Sequence, residues 1–177
     1  MSDKIKWGES YESIAKNIEP YIKKSYQRSL TVYPMWWDKQ ITIFNKYMNP
    51  DTNEIIWYRT YVDGCFWSDT NTQGTGGQTV HDTSNIILRI PQDNRFMEYA
   101  DWLNTISEEQ SNYFTLHQGD IVVKGQAEDV INEYQAGLRS SDVIAKYKGL
   151  NLCFTIDTWK DNTGVGRVAP HYFVSGE

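Results

Sequence analysis

Between Ile41 and Pro91 apolar side chains return at every second position, and that period leaves few choices of architecture. Ile41 and Ile43 share one face of a strand. Ile55, Trp57 and Tyr61 fall together on the next, and Ile86, Leu88 and Ile90 on a later one, with Ile87 turned the opposite way. Turn-forming residues such as Asn49-Pro50-Asp51 break the run into short strands. Strands that each bury one face must curl on themselves or stack as two sheets. The expected fold is therefore mainly β, a small β-barrel or sandwich.

The flanks read differently. Over residues 9–30, Tyr11, Ile14, Ile18, Ile22 and Tyr26 recur at spacings of three and four, which places them on one helical stripe, with Lys16, Lys23, Lys24 and Arg28 elsewhere. Pro20 removes one backbone donor and crowds the turn before it, so a kink or a break is expected there. Residues 1–35 are read as an N-terminal helical arm and 36–177 as the β domain. The five stripe residues are the arm's candidate interface anchors, because a few well-buried side chains dominate interface energetics. After Pro91 short helices are expected between later strands: in FMEYADWLNTI, in SEEQSNYF, over Ala127–Ala136, and in VIAKYK, capped by Ser140-Ser141-Asp142 and stopped at Gly149. GDIVVKG, LCFTIDTW and HYFVSG read as further strands.

Little in the chain is arranged for catalysis. His81, His117 and His171 lie in no metal-ligand spacing, and His117 with Asp120 in LHQGDI reads as a turn entering a strand. His81-Asp82 has no nucleophile elbow beside it. Glu108-Glu109 and Glu128-Asp129 are best read as helix-start charge, which complements the positive end of the helix dipole. The Gly74–Gly77 run lacks a phosphate-loop lysine and a following helix. It reads as the centre of a long hairpin loop, 69–79, in which Thr72, Gln73, Gly74, Thr75, Gly76, Gly77 and Gln78 are the candidate functional residues. No enzymatic activity, cofactor or metal is expected.

Net charge is -6, and Lys and Arg are concentrated only at Lys16–Arg28, which argues against binding nucleic acid through a positive field. Cys65 and Cys153 lie in apolar strand-like runs and are expected as buried free thiols. The opening MSDKIKWGES has no apolar leader, and no apolar run approaches a membrane span, so the expected origin is the reducing cytoplasm. Seven Trp, twelve Tyr and six Phe suit half-buried sheet faces and subunit contacts alike. A carbohydrate- or small-ligand-binding β-barrel, with Trp36, Trp37, Trp57 and Trp67 stacking on sugars, is the competing reading.

The order of ITIFNKYMNPDTNEIIWYRTYVDGCFW, NIILRIP and GDIVVKG, with SSDVIAKYKG and HYFVSG closing, resembles prophage-encoded proteins of Gram-positive bacteria that look like the head-tail joining (head closure or stopper) proteins of tailed phages. The resemblance covers about residues 40–177. It implies a small β-barrel that forms a hexameric ring beneath the portal adaptor, closes the DNA-filled head and offers a platform to the tail tube or tail terminator. It also implies made-in-host synthesis, residence in the virion neck, no membrane, and a 69–79 loop projecting near genomic DNA in the channel. A tail terminator or completion protein is the neighbouring reading. The arm departs from the pattern, and it would dock on the adaptor or the next subunit.

Overall fold

A computed structural model describes residues 33–76, 79–134, 137–165 and 169–176. The proposed arm residues Tyr11, Ile14, Ile18, Ile22 and Tyr26 lie outside them. Within the unit Pro34–Glu177, six antiparallel strands form a closed barrel in the order β1-β2-β3-β6-β5-β4, with β4 returning to β1. They are β1 (Lys39–Met48), β2 (Ile55–Gly76), β3 (Thr79–Pro91), β4 (Ile121–Lys124), β5 (Cys153–Asp161) and β6 (His171–Gly176). The expected β-barrel is the fold observed.

Closure depends on strands that change partners. β2 pairs with β1 as far as Cys65 and with β3 from Phe66 onward. At the changeover the register slips between Lys39 and Ile41, and Gly64 takes a left-handed φ of 71°. A side chain would be strained in that backbone, so glycine is what lets one strand turn the corner. β5 does the same with a slip between Ile156 and Thr158, pairing first with β4 and then with β6. At the far end of β6, a Cβ on Gly176 would stand 1.8 Å from the Thr155 carbonyl oxygen. Only a bare α-carbon permits β6 to lie that close to β5.

The alternation read from sequence decides the core. Ile41, Ile43, Val62, Cys65, Trp67, Ile86, Leu88, Ile90, Val122, Phe154, Ile156 and Val174 fill the barrel, and Ile87 stays half-exposed on the other face. Burying a side chain such as Leu88 contributes about 2 kcal/mol. The excursion between β3 and β4 adds Phe96, Phe114 and Leu116 to the same core and carries α1 (Tyr99–Leu103) and α2 (Ser107–Gln110). Phe96 stacks on Tyr172 with ring centroids 4.1 Å apart.

Asp120 fastens this excursion to β1. Its carboxylate accepts the Lys46 N–H (2.9 Å), the His117 N–H (2.9 Å) and one Asn45 Nδ2–H (2.8 Å), and Asn45 Nδ2 also donates to the Thr115 carbonyl (2.8 Å). Asp120, Asn45 and Thr115 are all fully buried. Burial pushes the Asp120 carboxyl up to about 6, against the pull of those three N–H donors.

A second cluster lies on the outer side of β1 and β4, where Phe44, Ile121, Val123 and Cys153 meet Ala127, Ile131 and Val143. Val143 belongs to α3 (Ser140–Lys148), whose first turn is closed by the Asp142 carboxylate accepting the Arg139 N–H at 3.0 Å. The helix stops at Gly149 in a right-handed conformation, and Asn151 takes the left-handed position two residues later. The expected helix over Ala127–Ala136 does not form. Its described residues run as an irregular strap over the sheet, tied by Tyr61 Oη–H and Arg59 to the Ala127 carbonyl and by an Ile131–Leu138 bridge. Glu128-Asp129 is thus no helix start: Asp129 accepts from Lys146 Nζ (2.8 Å) and Tyr147 Oη (2.5 Å), which hold its carboxyl below the usual range.

Candidate functional site

The segment expected as a loop is paired backbone almost throughout. β2 and β3 stay in register from Phe66↔Arg89 out to Gly76↔Thr79. Neither β1 nor β6 accompanies them past Cys65 and Ile86, so among the described residues 70–76 and 79–85 pair only with each other. Thr72, Gln73, Gly74, Thr75 and Gly76 are strand residues, while Gly77 and Gln78 lie outside the described residues. At about 3.3 Å per residue the seven rungs make a two-stranded ribbon roughly 20 Å long. The sequence of this run predicts a loop because its polar, glycine-containing stretches carry no apolar alternation.

A different feature, absent from the sequence reading, lies on the outer face of the barrel. Register puts Phe66, Arg89, Phe173 and Lys160 side by side in one row across β2, β3, β6 and β5. Directly opposed residues of antiparallel strands project to the same side. The Arg89 guanidinium sits 4.9 Å from the centre of the Phe66 ring. Neither Arg89 nor Lys160 forms an ion pair with a described residue.

Beside this row opens a cleft of ≈ 420 Å³ lined by Pro34, Trp36, Trp37, Arg89, Asn162, Ala169, His171 and Phe173. In its floor Trp37 is buried and meets the His171 ring edge-on at 5.5 Å. His171 Nδ1 lies 2.7 Å from the Ala169 carbonyl, which can only accept, so the proton sits on Nδ1 and Nε2 accepts from Asn162 Nδ2 at 3.3 Å. Its rim is open at Trp36, which is 65% exposed.

The other residues weighed for chemistry fall elsewhere. His117 is exposed and stacks on Tyr99 with centroids 3.8 Å apart, giving Asp120 its backbone N–H and not its ring. His81 stands opposite Gly74 in the ribbon. Glu108 and Glu109 occupy the first turn of α2, as their spacing suggested. Cys65 and Cys153 are free and buried, and burial raises both thiols, Cys153 to about 11, so neither is a ready nucleophile. Among the described residues no three His, Cys, Asp or Glu side chains are grouped to hold a metal ion. No described helix is long and apolar enough to cross a membrane.

Residues 36–177 match the model of a family of unknown function, DUF6751, and the chain belongs to that family. No curated protein and no solved structure matches it.

Proposed function

We propose that this protein is a structural subunit of the neck of a tailed phage. Copies close into a ring, hexameric by the resemblance noted above, between the portal adaptor and the tail tube or tail terminator. There the ring retains DNA in the filled head and joins head to tail, without a reaction or a cofactor.

The observation that carries this reading is the ribbon. A two-stranded hairpin with no third strand is marginal in water, and this one runs about 20 Å beyond a barrel that is already closed. Such an element has most use where a ring of copies brings several together at a centre. Its sequence, TNTQGTG and TVHDTSN, carries one acid and no Lys or Arg. Lining of that kind offers DNA phosphates no strong attraction and little repulsion. Glycines at 74 and 76 allow it to change shape at small steric cost, so the ribbons can obstruct the passage and later clear it.

Electron micrographs of the purified protein are expected to show rings. Deleting the gene is expected to yield heads that leak DNA, and the protein should be found with heads, not with tails made in the absence of heads. Presence on such tails would move the assignment to a tail terminator, and absence from purified virions would overturn both. One observation favours a second class: Trp36 is exposed at the rim of a concave cleft, as in sugar-binding sites. Quenching of tryptophan fluorescence by a panel of sugars would establish that reading, and a flat response would remove it.

A further inference from the structure

Resting on the ring reading, we propose that the row Phe66-Arg89-Phe173-Lys160 and its adjoining cleft receive the α1–α2 segment of a second copy of this chain.

The receiving face is apolar with two cations that have no ion-pair partner among the described residues. Arg89 lies over the Phe66 ring and Lys160 stands beside Phe173, so in a chain of net charge -6 this row brings two cations to one aromatic face. The complementary surface is on the same molecule. From Glu98 to Gln110 the chain has four acids, Glu98, Asp101, Glu108 and Glu109, all exposed, and no Lys or Arg. Among them stand Leu103, 37% exposed, and Ile106, 67% exposed. Acids around two aliphatic side chains match cations around an apolar cleft, and opposed potentials of this kind fix register and suppress wrong partners.

The segment is also held ready. Buried Trp102 and Gln110 bond reciprocally, Trp102 Nε1–H to the Gln110 carbonyl at 3.3 Å and Gln110 Nε2–H to the Trp102 carbonyl at 3.0 Å. That pair clamps both short helices, so presenting Ile106 and the acids costs little ordering entropy. Trp102 anchors the segment edge-on against Tyr47 of β1 and Tyr58 of β2. The cation row instead crosses β2, β3, β6 and β5. Two unlike surfaces borne on different parts of one barrel make a heterologous contact, which repeats from copy to copy and closes as a ring when the rotation permits.

The test is a charge exchange read by light scattering behind size exclusion. R89E/K160E and, separately, E108K/E109K are expected to weaken self-association at least about 10-fold, and a combined variant carrying all four changes should restore it. All four sites are half-exposed or exposed, and far-UV circular dichroism checks that each variant folds. Rings that survive both exchanges would overturn this contact while leaving the ring reading intact. A wild-type chain that stays monomeric at high concentration would overturn the ring itself. Binding of a single-stranded oligonucleotide that R89E/K160E abolishes, with association unchanged, would reassign the row to nucleic acid.

Discussion

Asp120→Asn separates the two roles of the buried carboxylate, bond acceptor and charge. In the wild type one carboxylate oxygen accepts from Lys46 and the other from Asn45 and His117. An asparagine oxygen can keep two of these bonds, but its NH2 then meets a donor, and a buried unpaired donor costs about 1–3 kcal/mol. The charge acts in the opposite sense. With a folded-state pKa of about 6 against 3.8 when unfolded, the folded protein holds this proton more tightly. The resulting stability is fully present well below about pH 4 and is lost as pH rises through 6. The difference is about 3 kcal/mol, or roughly 10 °C in Tm for a unit of this size. Asp93, Asp129 and Glu133 have lowered pKa values and so lose stability as pH falls. The informative quantity is therefore the wild-type minus variant difference, from urea unfolding at several values between pH 4 and pH 8. The wild type should have the greater advantage at pH 4, shrinking by roughly 2 kcal/mol by pH 8, because at pH 4 part of the full difference has already been lost. A difference that does not change with pH would refute the assignment of a raised pKa to Asp120.

Leu88→Ala should cost about 2–5 kcal/mol in a thermal or urea melt, because Leu88 is fully buried, whereas half-exposed Ile87→Ala should cost well under half as much. Gly176→Ala should destabilise by about 1–3 kcal/mol or more, since its Cβ would run into the Thr155 backbone and the Phe154 ring; an unchanged melt would show that β6 is free to move away. Deleting Gly74–Gly77 should leave the melting temperature within a few degrees of wild type while altering DNA retention in particles, and an insoluble product would make the ribbon part of the folding unit.

The barrel wall was legible where strands alternate: Ile41 and Ile43, and Ile86, Leu88 and Ile90, are spaced to bury one face, and all of them do, while β4, buried on both faces, showed instead as a continuous apolar run. The ribbon escaped the same logic, since a strand polar on both faces carries no such period. Over 127–136 helix propensity misled. Ala127 and Ile131 are buried against a neighbouring sheet, and bonds from Arg59 and Tyr61 hold that backbone open, so tertiary contact overrode local preference. Asp120 looked like a turn residue because its partners at 45 and 46 are more than 70 positions away. The row of Phe66, Arg89, Phe173 and Lys160 is a product of three strand registers, none of which a linear reading supplies.

The ribbon has no hinge of its own at its base, for its two legs are uninterrupted lengths of β2 and β3, and both go on to form barrel wall. Mechanically that makes it a lever arm. A sideways load near Gly76 and Thr79 is delivered as torque to the rungs at Trp67↔Leu88 and Asp69↔Ile86, beside the Gly176 seam. Whatever touches the far end of this arm is thereby felt by the wall of the subunit.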